Sequence, residues 1–273
     1  MADQKLRVGK ITFLNLFPIF YMLEKECDCS GYEFIGGVPS TLNKMLRAGK
    51  IDVSPSSSIE YLSHSDKYFL LDGHSISSKG TVMSILLFTK VPIEALDGHT
   101  VLTSSQSATS VALLEIIFRK SFRVKCRLKP SDMNHKSDTS GTDAYLLIGD
   151  DALRAMKHYR DKVRKPVFLI YDLGELWQKY TRLPFSYALW IYRRNISEEK
   201  SELMIKFKDD LDMAKRLALK NLRRIAKESP LKGILTEDEL VGYWKNISYD
   251  FGDEHRKGLE LFRKYSQELG LLD

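Results

Sequence analysis

The sequence predicts an α/β protein with mostly parallel sheets, built as two lobes. Three observations predict it. Short apolar strands alternate with amphipathic helical stretches along most of the chain. Two long apolar segments, residues 81–89 and 186–194, bracket a middle block with its own strand–helix alternation. Beyond Ser197 the pattern is helical. Together these place an outer lobe over residues 1–90 and 188–273 and an inserted middle lobe over residues 91–187, with two crossings between them. A single nine-strand domain would give a similar string. At 273 residues the chain is long enough for two domains and a large core.

The elements follow in order. A strand over Leu6–Ile11 runs into the loop TFLNLFP, and Pro18 suits the first turn of a helix through Tyr21 and Leu23. GYEFIGG is a second strand with a glycine stop. In VPSTLNKMLRAGKIDVSPSS, Ser40 is the expected N-cap; Leu42, Met45 and Leu46 form the apolar face, and Gly49 ends the helix. IDVS is then a short buried strand, and SSSIEYL opens another helix. After the long strand Thr81–Thr89 the pattern restarts at Pro92. HTVLTS reads as strand, SATSVALLEIIFRK as helix, FRVKCRL as strand, and Lys129 to Asp143 as a polar stretch. AYLLIG is a strand, DDALRAMKHYR a helix, PVFLIYDL a strand, and GELWQKYTRLPF a short helix running into a loop. SYALWIYRR, Ser186 to Arg194, is the second long apolar strand.

The composition is globular, with 43% hydrophobic and 29% charged residues, and the net charge of +6 favours anionic partners. The charge is spread out. Its densest run, Lys215 to Glu228, carries Ala218, Leu219, Leu222, Ile225 and Ala226 at helical spacing. That spacing fits an amphipathic surface helix with a solvated basic face better than a nucleic-acid stripe. A small anion is the expected partner, with no nucleic acid and no membrane. No run approaches the roughly 18 apolar residues of a membrane span. The N-terminus lacks a basic start, an unbroken apolar core and a small-residue cleavage site, so the expected location is cytoplasmic. Cys27, Cys29 and Cys126 are odd in number and lack metal-site spacing, as free thiols in a reducing compartment would be. P-loop, Rossmann, HExxH and GxSxG patterns are absent, and the six histidines show no ligand pairing. The expected site therefore uses no metal and no cofactor. None of these features bears on oligomeric state.

Four stretches could carry chemistry. Ser104 to Ser110 packs five Ser/Thr hydroxyls and Gln106 into a strand-to-helix junction. A helix N-terminus offers unsatisfied N–H groups and partial positive charge, and small hydroxyl residues let an anion approach them. Plain N-capping needs one Ser or Thr, so Ser105, Gln106, Ser107, Ala108 and Thr109 are candidate anion contacts. Ser56, Ser57 and Ser58 repeat the device between IDVS and the next helix. If the two runs face each other, they could hold both ends of a dianion. In LLIGDDAL, Gly149 allows close backbone approach, while Asp150 and Asp151 suit helix capping. In ITFLNLFP, Asn15 stands among Phe13, Leu14, Leu16 and Phe17. Its amide either closes the loop or reaches a ligand, with Phe13 packing on an apolar ring.

VGKITFLNLFPIFY, GVPSTLNKMLRAGKIDVSPSSSIEYL, LTSSQSATSVALLEI, AYLLIGDDAL, YDLGELWQKYTRLPFSYALWIYRR and YDFGDEHRKGLELF resemble the chorismate dehydratase family of the futalosine route to menaquinone. The likeness runs in order from about residue 6 to the C-terminus. It implies the fold of type II periplasmic binding proteins: two α/β lobes, two crossover strands and a ligand cleft between. It implies loss of water from chorismate, a small dicarboxylate, to give 3-[(1-carboxyvinyl)oxy]benzoate without a cofactor. It also implies that the Ser/Thr runs hold the carboxylates, with Gly149 and Asp150 at the third junction. Asn15 would be the catalytic group, hydrogen-bonding the departing hydroxyl or the ring region, and the substrate's second carboxylate would take the proton. A sister family making 1,4-dihydroxy-6-naphthoate carries a GRxTTA-like loop and an IHE tripeptide with a catalytic histidine. Here the matching stretches are SSQSATS and IGD, so Gly149 stands where that histidine would be. Arg182 stands where the dehydratase pattern more usually has glycine. A cytoplasmic small-carboxylate binding protein without catalysis is the non-enzyme alternative.

Overall fold

A computed structural model describes residues 5–139, 141–161 and 168–272. The chain divides into two compact units. The first takes in the chain up to Ile76, then Ala188–Lys245 and Tyr249–Phe251; the second takes in Ser77–Tyr187, Asn246–Ser248 and the chain from Gly252 onward. In chain order the elements are β1 (Leu6–Ile11), α1 (Phe17–Glu26), β2 (Tyr32–Gly37), α2 (Pro39–Arg47), β3 (Val53–Ser57), α3 (Ser58–Ser63) and β4 (Tyr68–Ser78). There follow β5 (Ile85–Thr89), β6 (Thr100–Ser104), α4 (Ala108–Ile116), β7 (Arg127–Ser131), β8 (Ala144–Ile148), α5 (Gly149–Asp161), β9 (Leu169–Asp172) and α6 (Leu173–Thr181). The last are β10 (Phe185–Arg193), α7 (Glu198–Lys220), α8 (Leu222–Ala226), α9 (Glu237–Asn246) and α10 (Asp253–Glu268). No helix of the described residues is long and apolar enough to cross a membrane.

One sheet has the order β2-β1-β3-β10-β4, the other β7-β6-β8-β5-β9. Strands β3 and β8 are buried along their whole length, as expected of strands covered on both faces. In the first unit Phe20 of α1 and Phe207 of α7 both pack on Trp190 of β10, with ring centroids 5.8 and 5.7 Å away. Buried Asp52 ties the start of α7 to the sheet. It accepts from the Arg7 amide at 2.8 Å, pairs with the Arg7 guanidinium at 2.8 Å and accepts from Lys200 Nζ at 2.9 Å. In the second unit Phe88 stacks on Tyr145 at 4.9 Å, and Phe262 of α10 lies 5.0 Å from Phe185.

Several expectations need correction. Residues 77–90 fall in the second unit, because β5 pairs with both β8 and β9. The C-terminal helix α10 falls there too, because Phe262 packs on Phe185 and Trp177. Both segments had been expected in the outer lobe. The sheets are mixed rather than mostly parallel: β10 runs antiparallel to β3, and β5 antiparallel to both neighbours. Strand β4 was not expected at all. The strand expected over Thr81–Thr89 starts only at Ile85, since Met83 has a φ of 64°. Pro39 opens α2 after Val38, so Ser40 is not the cap. Arg123 is left-handed, and β7 begins only at Arg127. The basic run breaks at Asn221, which leaves Leu219 47% exposed rather than on a buried face. Of the expected strand PVFLIYDL, Pro166 and Val167 lie outside the described residues, as do the first four residues of the chain.

Candidate active site

Topology gathers the candidate residues within each unit. In the second sheet β6 runs parallel to β8, and β5 runs antiparallel to β8 and β9. The carboxyl ends of β6, β8 and β9 therefore lie at one end, beside the amino end of β5. Open α/β sheets bind ligands at that end. Attached there are Ser105–Thr109 after β6, Gly149 and Asp150 after β8, Asp172 closing β9, and Met83 and Ser84 leading into β5. In the first sheet β1, β2 and β3 are parallel, so Phe13 and Asn15 follow β1 at the end where Ser56 and Ser57 finish β3 and Ser58 opens α3.

The hydroxyls of Ser104–Ser110 are largely used within their own loop. Ser107 caps α4, accepting from the Ser110 amide at 3.3 Å, and its Oγ lies 3.0 Å from Ser110 Oγ. Ser104 Oγ accepts from the Gln106 amide at 3.2 Å. Ser105 Oγ donates to Asp132 Oδ1 at 3.1 Å. Loop closure and capping thus employ four of the five hydroxyls, where one capping residue had been expected. The Asp132 carboxylate beside Ser105 disfavours an anion at that position. The first-turn amide of Ala108 is of the kind a helix leaves to outside partners.

Gly149 has a φ of 58°, a left-handed conformation that glycine adopts without strain, and its N–H donates to Ser84 O at 2.7 Å. A conformational need therefore accounts for this glycine. Asp150 follows it in the first turn of α5. Asp151 pairs with the His135 ring and accepts from the His135 amide at 3.4 Å, so it is more than a helix-end acid.

Asp172 is the residue that sequence reasoning missed in this unit. It is only 8% exposed and caps α6, accepting from the amides of Gly174 at 2.9 Å and Glu175 at 3.1 Å. It also accepts from Val82 N at 3.1 Å and Met83 N at 2.6 Å. Burial pushes its carboxyl above the ordinary range, against the amides of Met83, Val82, Glu175 and Gly174, which pull the other way. A non-glycine residue in the left-handed region costs about 1–2 kcal/mol, and a hydrogen bond to a charged group is worth about 1.5–3 kcal/mol. Two such bonds outweigh the strain at Met83. The capping half of this role is legible in YDLGE; the other half spans 89 residues of sequence, where no local pattern reports it.

In the first unit Asn15 sits in a 3-10 turn, Leu14–Leu16, ahead of α1. Tyr249 Oη donates to Asn15 O at 2.6 Å, and Trp244 Nε1 donates to Leu14 O at 2.8 Å. Two aromatic donors thus fix the turn through its main chain and leave the Asn15 side chain free of that duty. Asn15 Oδ1 is buried without a hydrogen-bond partner in the protein, and Phe13 is half-buried. Ser56 and Ser57 belong to β3 rather than to a loop, and Ser58 opens α3 directly; all three are buried. Ser57 Oγ accepts from Asn43 Nδ2 at 2.8 Å. Ser56 Oγ and Asn43 Oδ1 are also buried without partners. Such groups cost about 1–3 kcal/mol each when nothing pairs them. The three lie in the turn after β1, near the end of β3 and midway along α2. Asn43 was missed, although an amide beside Leu42 on the apolar face of α2 was a usable signal.

This architecture defines a class. The chain has the fold of the solute-binding proteins: it is similar to the alkanesulfonate-binding protein SsuA from Xanthomonas axonopodis pv. citri bound to MOPS (TM-score 0.69, 13% identity, 100% of this chain and 96% of that one). SsuA from Escherichia coli gives a TM-score of 0.66 at 14% identity, over 99% of this chain and 94% of that one. A protein from Archaeoglobus fulgidus gives 0.78 at 20% identity over the whole of both chains. Within that fold the chain belongs to the menaquinone biosynthesis family, whose model matches residues 6–268. It is 30% identical over 276 residues to a chorismate dehydratase of Thermus thermophilus, covering 97% of this chain and 95% of the relative. It is 32% identical over 184 residues to a chorismate dehydratase of Campylobacter jejuni subsp. jejuni, covering 66% of this chain and 64% of the relative.

Proposed function

We propose that this protein is a hydro-lyase that removes water from chorismate in menaquinone biosynthesis. The product is 3-[(1-carboxyvinyl)oxy]benzoate, which feeds the futalosine branch. One observation carries the reading: family membership extends over residues 6–268, with a chorismate dehydratase aligned along nearly the whole chain.

The chemistry suits a site of hydroxyls and amides. A ring proton and the neighbouring hydroxyl leave together as water, the C–O bond breaks, and the ring becomes aromatic. The driving force is in the substrate, so the protein's task is to orient it and to stabilise charge that spreads into the ring carboxylate. Asn15 is the proposed catalytic group, aimed at the departing hydroxyl; its buried, unpaired Oδ1 supports that reading. Phe13, Ser56, Ser57, Ser58, Gln106, Ser107, Ala108, Thr109, Gly149 and Asp150 are the proposed substrate contacts. Ser105 is the weakest of the original set, given its bond to Asp132. The substrate's second carboxylate is the proposed proton acceptor. Three unpaired cysteines support a cytoplasmic location.

The fold neighbours that bind alkanesulfonates favour one second reading, a carboxylate-binding protein without catalysis. One experiment separates the two. Chorismate incubated with the purified protein is followed by ultraviolet absorbance and chromatography. Loss of the cyclohexadiene band with appearance of the substituted benzoate is expected. An unchanged spectrum beside calorimetric evidence of binding leaves only the second reading.

A further inference from the structure

We propose that Asp172 is a positioning residue for the reaction: its carboxylate clamps the Val82–Ser84 segment in a left-handed turn at the ligand-facing end of the second sheet. The proposal rests on the enzymatic reading above.

The clamp is specific in its geometry. Asp172 is level with Leu86 in the antiparallel pairing of β9 with β5, so its side chain stands beside the entry to β5. Both its oxygens lie 3.1 Å from Val82 N, and one lies 2.6 Å from Met83 N. Among the described residues, Met83 is one of three non-glycine residues with positive φ. A methionine has no intrinsic reason to adopt that conformation, since its Cβ crowds the backbone there. The residue that follows it, Ser84, is buried and accepts from the Gly149 amide at 2.7 Å. The turn therefore sets where two strand ends meet, at β5 and β8. The first turn of α6 is pressed against the chain just ahead of that segment. A Cβ on Gly174 would lie 2.4 Å from Gly80 O and 2.5 Å from Tyr187 Oη. A carboxylate that only capped α6 would need the Gly174 and Glu175 amides alone; this one spends equal capacity on residues 82 and 83.

The role is separable from plain stability, because glycine adopts the left-handed region freely. Asp172→Asn should lower kcat about 10- to 100-fold with KM changed less than about threefold. Adding Met83→Gly should recover about tenfold of that loss, since the turn then needs no clamp. Met83→Val, with Asp172 intact, opposes the turn with a β-branched residue and should lower kcat by a similar factor; it gives a reading even if Asp172→Asn does not fold. Amide hydrogen exchange on the ligand-free protein tests the clamp without any turnover. Val82 and Met83 should exchange about tenfold faster in Asp172→Asn, or in Asp172→Asn/Met83→Gly where the single variant is unfolded, while Leu87 in β5 keeps its protection. Unchanged exchange at Val82 and Met83, no rescue by Met83→Gly in a folded background, or wild-type turnover in Met83→Val each overturns the proposal. A wild-type protein inert on chorismate overturns the enzymatic reading instead, and leaves the exchange result to decide the clamp.

Discussion

Asn15 is held by its neighbours' contacts with its main chain rather than with its amide. The bonds from Tyr249 and Trp244 end on the carbonyls of Asn15 and Leu14, so Asn15→Ala should leave the turn in place. On the proposed mechanism its kcat falls about 100-fold while KM moves less than about threefold, as steady-state kinetics would report. Equal losses in both would make Asn15 a binding group only. His74 makes a different prediction. It is buried, its pKa is lowered to about 4 by burial and by Lys215, with Lys208 adding and Asp212 opposing, and its Nε2 lies 3.0 Å from Asp212 Oδ1 without hydrogen-bond alignment. The ordinary value is 6.5, so between pH 6.5 and about 4 the unfolded chain binds more protons than the folded one. Stability should fall as pH drops through that window, by at most about 3 kcal/mol from this group. Urea unfolding from pH 7 to pH 4 should show a shallower acid loss in His74→Gln. At this scale the sequence singles out Asn15 as a candidate because an amide among Phe13, Leu14, Leu16 and Phe17 has no apolar reason to be there. The reach of Asp172 to the amides of Val82 and Met83 left no such trace, because the fold and not local spacing sets it; Asn43 stood out only as an amide on an apolar face, and its pairing with Ser57 is likewise set by the fold.

Two helical glycines show how an element's stability depends on what it faces. A Cβ on Gly258 of α10 would lie 2.1 Å from Pro184 O, a backbone atom that cannot swing away. Gly258→Ala should therefore destabilise by about 1–3 kcal/mol, as an overpacked contact does. Gly242 of α9 is exposed, with nothing within 4 Å of its added Cβ, so Gly242→Ala should stabilise by up to about 1 kcal/mol through helix propensity. Thermal melts of the two variants should move in opposite directions. The elements that sequence made legible are those with regular apolar runs, such as β8 and α1. Strand β4 escaped because its buried positions include His74, Ser75, Ser77 and Ser78, which break the apolar alternation that marks a strand. Residues 81–84 misled in the opposite sense. Their β-branched and apolar character continues that of β5, yet Met83 turns left-handed under the hold of Asp172, which lies far downstream.

At the scale of the molecule, two units and their α/β class could be read from the alternation of elements, but not where one unit ends. A boundary read from sequence follows continuity; a folded boundary follows which strands complete which sheet. Strand β5 lies between β8 and β9 and hydrogen-bonds to both, so a fragment of residues 91–187 lacks an interior strand of its own sheet. It also lacks α10, whose Phe262 covers Phe185 at 5.0 Å and Trp177 at 6.5 Å. Uncovered aromatic rings and two unpaired strand edges are conditions for a loosely packed state. The isolated fragment should therefore bind a hydrophobic dye and melt without a sharp transition. Residues 77–187 joined by a flexible linker to residues 246–273 restore both missing parts, and this longer piece should regain a cooperative melt and near-ultraviolet circular dichroism. Were the 91–187 fragment to unfold cooperatively by itself, β5 and α10 would be accessories to the second unit, and the boundary would return to residue 90.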